Sequence, residues 1–164
     1  MANLCQSAVG KLREFLLAAD GVNSKLADIS ARDLVHLPSL TQENVRTQRI
    51  AAKLADENAP TTYPGVYVFC DRMDNEMAAK FRRFSGRVFA VVDIRVTNER
   101  FEGLGEELNR YVEAVRSVLA DRQGKWTDEI TFGGGFRVKY REIELGGRNF
   151  IQSAQIEVEL EAHE

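Results

Sequence analysis

The chain is poor in several features that would assign it to a common functional class. Its 164 residues include only two cysteines, two histidines and three prolines. No long apolar run is present, so we expect no membrane span. The N-terminus lacks a basic flank followed by an apolar segment and a cleavage site, so the sequence does not predict export by a signal peptide.

The cysteines offer little chemistry. Cys5 and Cys70 have neither the spacing of metal ligands nor the density of a disulfide scaffold, which favours two free thiols in a reducing compartment. Cys70 is followed by Asp71, but an apolar stretch ending in cysteine is more typical of a buried thiol than of a nucleophile.

Other residues suited to catalysis are equally scarce. His163 is the second-last residue, which leaves His36 as the one histidine for acid–base work and predicts no two-histidine metal site. Asp93 lies in a run of valines, where we expect an outward-facing carboxylate paired with an arginine on a neighbouring strand. We therefore predict that the protein is not an enzyme and has no catalytic, cofactor-binding or metal-binding residues.

Composition indicates a folded protein. With 44% hydrophobic residues the chain is long enough to bury one core of ordinary size. Its net charge of −3 disfavours a surface built as a whole to bind phosphates. We predict a single α+β domain over residues 1–164, divided into an N-terminal helix (1–21), a variable segment with a loop (22–65), and a sheet with its covering helix (66–162).

The N-terminal third gives mixed signals. Apolar residues at helical spacing predict an amphipathic helix from about residue 3, ended by Gly21. Polar residues and a proline interrupt residues 22–40, which predicts irregular structure or one short strand. Residues 41–57 fit either a helix, from their alanines, or an edge strand, from the alternation over 45–50. Residues 58–65 hold two prolines and a glycine and predict a loop.

The middle of the chain is clearer. A short apolar run at 66–70 predicts a strand, and residues 87–97 predict a long strand whose even-numbered side chains face the core. Phe89 and Val91 on its other face are apolar, so we expect something to cover that end. Residues 105–121 carry one apolar stripe and predict a helix laid on the sheet.

The C-terminal segment predicts a β-hairpin. Apolar and polar residues alternate strictly from Ala154, and Gly146 and Gly147 suit a two-residue turn. A change of parity between Tyr140 and Ile143 predicts a β-bulge. The glycines at 133–135 lack the lysine and hydroxyl residue of a phosphate loop, so we expect a flexible turn there.

Together these patterns predict an α+β fold in which a mostly antiparallel sheet of about four to six strands carries two or three helices mainly on one face. The helix 105–121 should lie on this sheet. We expect five residues to be buried together under it: Val92, Ile94, Val115, Ile156 and Val158.

One basic segment, residues 80–87, stands out as a candidate for binding. Four basic side chains are interleaved with two phenylalanines, a mixture that can hold a nucleic-acid backbone and stack on its bases. Acidic residues lie just upstream, which favours a solvated loop or one that contacts protein over a loop that binds nucleic acid. The candidate interface residues are Lys80, Phe81, Arg82, Arg83, Phe84 and Arg87.

The order of these elements resembles a known group. The sequence passes from a Tyr-Pro-Gly-Val-Tyr-Val strand at 63–68, through a loop ending Phe-Ser-Gly at 84–86 and a valine-rich strand, to a helix containing Tyr-Val-Glu-Ala-Val at 111–115 and a Gly-Gly hairpin. Over roughly residues 60 to 160 this order is similar to that of the tail terminator, or tail completion, proteins of long-tailed bacteriophages and prophage elements.

The resemblance implies a structural virion protein that assembles in the host cytoplasm and resides in the phage tail. Such a subunit forms a hexameric ring with copies of itself, caps the tail tube protein, ends tail polymerisation and offers a surface to the head connector. Nucleic acid would enter only as DNA passing through the ring, and no membrane or cofactor is implied.

Three alternatives stay open on the sequence. A head-completion or connector protein of the same neck region would show the same order of elements and the same residue pattern. A small RNA-binding α+β module would use Lys80, Arg82, Arg83 and Arg87. A small-molecule enzyme would need a cleft near Asp93 or His36.

Overall fold

The computed structural model describes residues 3–58 and 62–164. The elements are the helices α1 (Leu4–Leu17), α2 (Val22–Asp33), α3 (Ala52–Asn58) and α4 (Leu104–Asp121), and the strands β1 (Val45–Arg46), β2 (Gly65–Asn75), β3 (Ser85–Asn98), β4 (Gly124–Lys125), β5 (Ile130–Tyr140), β6 (Glu144–Gly146) and β7 (Asn149–His163).

The predicted fold class is confirmed: helices pack on a mostly antiparallel sheet. The strand order is β1-β2-β3-β7-β5-β4, and β6 pairs with the start of β7. Every pairing is antiparallel except that of β1 with β2. Within the described ranges there are seven strands and four helices, more than expected from the sequence. The additional strands were missed because β1, β4 and β6 are only two or three residues long, and the additional helix is α2.

The core lies between the sheet and helices α1, α2 and α4. The even-numbered side chains of β3 and β7 face these helices, as their alternation predicted. The expected core group of Val92, Ile94, Val115, Ile156 and Val158 is buried, each residue with 1% exposure or less. The apolar stripe on α4 is confirmed as well, because its residues Leu108, Tyr111 and Val112 are all buried.

The prediction of irregular structure for residues 22–40 is wrong over its first half, where α2 forms. Only Val22, Leu26 and Ile29 of this helix are buried, so its apolar face is short and its polar residues lie towards solvent. Gly21 does not end α1, which stops at Leu17. It lies in the tight turn between the helices, where a Cβ would come within 2.5 Å of the Leu16 carbonyl oxygen.

Residues 41–57 contain both of the structures that the sequence allowed. Val45 and Arg46 form the edge strand β1, and the alanine-rich stretch forms α3. The predicted loop 58–65 lies partly outside the described residues; within the described part, Asn58 ends α3 and Gly65 begins β2.

Two details of the C-terminal hairpin differ from expectation. Gly146 pairs with Asn149, so Gly147 and Arg148 form the turn, and Gly147 adopts a positive φ of 67°. The register shift falls between Phe132 and Phe136, so the glycines at 133–135 form a bulge inside β5 and not a turn before it. The expected bulge between Tyr140 and Ile143 is instead a break between β5 and β6.

The expectation of two free thiols is wrong, because Cys5 and Cys70 form a disulfide with their Cα atoms 5.7 Å apart. Helix α1 packs on β2 and thereby brings together two residues that are 65 positions apart in the sequence. Such a pairing depends on tertiary packing, so no local spacing in the sequence predicts it.

Candidate assembly interface

The most exposed feature of the sheet is the connection between β2 and β3, residues 76–84, which we call the arm. Phe81 at its tip is 100% exposed, and Met77 is 55% exposed. Lys80 and Arg82 are exposed beside them. Met77 and Phe81 both have positive φ, a conformation that is costly for residues with large side chains. The arm therefore places an aromatic ring and two cations in solvent.

The base of the arm is fixed to the C-terminal end of β7. The Phe84 and Glu164 backbones exchange hydrogen bonds, with N···O distances of 2.8 and 3.2 Å. Ser85 is fully buried; its hydroxyl oxygen accepts from the Ala79 amide at 3.0 Å and hydrogen-bonds the His163 ring at 3.0 Å. An exposed tip thus stands on a hydrogen-bonded base.

The structure separates the six candidate interface residues. Lys80, Phe81, Arg82 and Arg83 lie in the exposed arm. Phe84 has only 8% exposure and belongs to the core, so it is not available to a partner in this structure. Arg87 lies on β3, where it contacts two carboxylates on the sheet face opposite the helices.

The sheet face opposite the helices, here called the open face, carries a ladder of opposite charges. Arg87 contacts Glu76 and Glu159, each at 2.9 Å. Arg72 contacts Glu157 at 3.1 Å, and its guanidinium lies 3.6 Å from the centre of the Phe89 ring. The expectation that something covers Phe89 is therefore confirmed: the cover is an arginine side chain.

Two grooves of about 290 and 240 Å³ run over this open face. Both are lined by Arg137 of β5 and Glu157 of β7, and one extends to Lys139 and Asp71. Cationic side chains along β5 therefore face anionic ones on β7 and β2 across the open face.

Asp93 does not occupy the site predicted for it. It is buried at 4% exposure, and its partner is Arg95, two residues along the same strand and 2.9 Å away, where a cross-strand arginine was expected. Arg95 also donates to the Ile50 carbonyl oxygen and stacks on Tyr67 at 4.1 Å. The residues before α3 thus cover this end of the open face, a tertiary contact that no local pattern indicates.

A separate ionic network joins α2 to α4. Arg32 contacts Asp33 at 2.7 Å and Glu113 at 2.6 Å, while Arg110 contacts Asp33 at 3.0 Å. The hydrogen bonds from Arg32, and then those from Arg110, lower the pKa of Asp33 to about 2. Arg32 likewise lowers the pKa of Glu113. This network holds two helices together and lies on the side of the molecule away from the open face.

The remaining candidates for chemistry are dispersed. His36 is exposed, whereas His163 lies against Ser85 at the base of the arm. Burial raises the pKa of Tyr111, whose hydroxyl donates to the Pro38 carbonyl oxygen at 3.0 Å. Over residues 3–58 and 62–164, no group of three or more histidines, cysteines or carboxylates is arranged to hold a metal ion. Nor is any helix in these ranges long and apolar enough to span a membrane.

Comparison with known proteins assigns no family: no family model matches the chain, and no curated protein matches it significantly.

Proposed function

We propose that the protein is a structural subunit that closes into a ring on the end of a phage tail tube. It would stop tube growth and present a surface to the head connector, as the sequence resemblance implies. Assembly would take place in the host cytoplasm, and the protein would remain in the tail of the virion. The observation that carries this proposal is the arm, which holds Phe81 fully exposed above a base bonded to the C-terminal strand.

An exposed aromatic ring on a fixed base is typical of a recognition element. Apolar side chains that cluster in solvent mark contact sites, and loops on rigid scaffolds are where proteins place them. Met77 and Phe81 supply the apolar area, and Lys80 and Arg82 supply charge around it. Aromatic residues with arginine are also the types enriched at protein interfaces.

The same geometry favours protein contact over RNA binding. An RNA-binding surface would combine Lys80, Arg82 and Arg87 with stacking aromatic rings. However, Phe84 is buried, and Arg87 is already paired with Glu76 and Glu159. Two carboxylates beside the arginine would repel a phosphate backbone.

The proposal is tested by exchanging the exposed arm residues in phage-producing cells. The variant Phe81→Ser/Arg82→Glu should fold normally, since exposed substitutions usually change stability by less than about 0.5 kcal/mol. Electron microscopy should then show tubes of irregular length that do not join heads. A matched control, Leu34→Ser/Arg100→Glu, also removes one exposed apolar side chain and one exposed arginine and should give normal tails.

Three outcomes would count against this proposal. Tails of uniform length joined to heads in the arm variant would remove the arm from the interface. Tight, salt-sensitive RNA binding that the arm variant loses would favour the RNA-binding alternative. Tails of normal length that fail only to join heads would indicate a head-completion protein of the same neck region.

A further inference from the structure

The outer edge of β5 is open over residues 136–140. On its inner side β5 pairs with β7, from Phe136 opposite Val158 to Tyr140 opposite Ala154. On its outer side, β4 reaches only Thr131 and Phe132. In the part of the chain that the structure describes, no strand pairs with the outer edge of 136–140. This edge can therefore accept another strand.

The opposite end of the sheet is also open. β1 pairs only with Val66 and Tyr67, so residues 71–75 of β2 have no strand on their outer side within the described ranges. Residues 72–75 are all exposed. The sheet thus ends in two uncovered edges of similar length.

The two edges differ in charge. On the open face, β5 presents Arg137 and Lys139, while β2 presents Asp71 and Asp74 with Arg72 between them. Asp71 and Asp74 already contact cations of their own subunit: Asp71 contacts Arg49 at 3.0 Å, and Asp74 contacts Arg72 at 3.5 Å. All of these ion pairs are exposed enough to be shared with, or exchanged for, a cation from outside.

The other face of the same edges carries partly exposed apolar side chains. Phe136, Val138 and Tyr140 point to the helix side of β5, where Phe136 and Tyr140 are 39% and 49% exposed. Met73 points to the helix side of β2 and is 39% exposed. An added strand that matched both faces would cover apolar residues on one side and pair charges on the other.

Strand directions allow β2 of one copy to meet β5 of another. Three antiparallel pairings separate β2 from β5 within a subunit, so the two strands run in opposite directions. A rotation that continues the sheet into a second copy would place its β2 antiparallel to β5. We propose that residues 136–140 pair edge to edge with residues 71–75 of a second copy of this chain.

Charge decides between this contact and pairing of like edges. Pairing of two β5 edges would bring Arg137 and Lys139 against the same residues of the partner. Repulsion between such like charges protects many edge strands from pairing with copies of themselves. In the contact of β5 with β2 these cations meet Asp71 and Asp74, and the one cation between the two carboxylates, Arg72, is held by Asp74 and Glu157 of its own subunit. Because it joins two different patches, it is head to tail, and it closes into a ring when the rotation fits. This inference deepens the proposed function by naming the contact between subunits, and it rests on that function for the closed ring.

Complementary charge reversals test the contact. One variant carries Arg137→Glu/Lys139→Glu, and a second carries Asp71→Asn/Asp74→Lys. Sedimentation and native mass spectrometry over a concentration series should show that the parent forms assemblies larger than dimers. Each variant alone should associate at least about tenfold more weakly. Lys53→Glu/Arg100→Glu, a control with the same charge change away from both edges, should behave like the parent.

Mixing the two variants should restore assembly, because the acidic β5 of one then meets the basic β2 of the other. Restored assembly would also show that both variants are folded. A parent that stays monomeric at every concentration, forms only two-fold dimers, or assembles equally well after either reversal would overturn the inference. Tubes capped normally by the Arg137→Glu/Lys139→Glu variant would overturn this contact but leave the proposed function standing. Rings that form through these edges but cap no tubes would reject the function and retain the contact.

Discussion

Arg95 Nη2 lies 2.9 Å from Asp93 Oδ2, and both side chains are buried on the open face of β3. Residues two apart on a strand share a face, so this ion pair is formed within one strand. Asp93 Oδ1 and Arg95 Nη1 have no hydrogen-bond partner in the structure. A buried pair that is only partly satisfied contributes little net stability, yet it is costly to break on one side.

Replacing Arg95 alone by Met should therefore destabilise the protein strongly. It would leave Asp93 charged and buried, which typically costs about 3 to 5 kcal/mol. Replacing both, as Asp93→Leu/Arg95→Met, should recover much of that loss, because no buried charge remains. Denaturant unfolding of both single variants and the double variant measures the coupling. Additive losses in this cycle would mean that the two side chains do not act as a pair.

Ile156 tests the assignment of the inward face of β7. It is fully buried beneath the helices, so Ile156→Ala should lower the free energy of unfolding by about 2 to 5 kcal/mol. Glu161→Ala, at an exposed position of the same strand, is the control and should change it by less than about 0.5 kcal/mol. An unchanged denaturant midpoint for Ile156→Ala would show that the strand register is shifted by one residue.

The network between α2 and α4 should give the protein an acid-sensitive component of stability. The pKa of Asp33 is lowered from 3.8 to about 2 by Arg32 and Arg110, so folding favours its ionised form. This stabilisation is present above the unfolded pKa of 3.8 and is lost as the pH falls through the folded pKa of about 2.

Thermal unfolding across this pH range tests that contribution. Asp33→Asn should flatten the acid limb of the stability curve, whereas Asp28→Asn, on an exposed position of the same helix, should leave it unchanged. Equal slopes for the parent and Asp33→Asn would mean that the network does not stabilise the folded state.

The disulfide gives a redox prediction. Bridging residues that are 65 positions apart restricts the unfolded chain and typically adds about 2 to 4 kcal/mol to the free energy of unfolding. Dithiothreitol should therefore lower the unfolding midpoint of the parent but not that of Cys5→Ser/Cys70→Ser. Titration of the unreduced, denatured protein with a thiol reagent should detect no free thiol. Two reactive thiols per chain would contradict the pairing.

The sequence predicted those parts of the fold in which local pattern and tertiary packing agree. β7 alternates strictly because one of its faces is covered by helices, β3 carries apolar side chains at its even-numbered core positions, and α4 carries a complete apolar stripe. α2 escaped prediction because it buries only three side chains. Because so few apolar side chains mark the buried face, the polar residues between them give the segment the sequence pattern of a loop.

The candidate site was less predictable, because contacts between distant segments determine it. The basic segment at 80–87, predicted as a loop, is one only as far as Phe84, because β3 begins at Ser85. Burial of Phe84 depends on how the arm packs on the core. The pairing of Arg87 with Glu76 and Glu159 depends on strand register. The open strand edges are equally hidden, since they follow from the order of strands in the sheet and not from any one strand.

The proposed role is tested most directly by the length of tails assembled without this protein. Phage-producing cells that lack the gene should yield overlong tubes without heads, and the parent protein supplied in trans should restore tails of uniform length joined to heads. Electron microscopy of both preparations gives the length distributions. Tails of normal length, joined to heads, in cells that lack the protein would contradict the account.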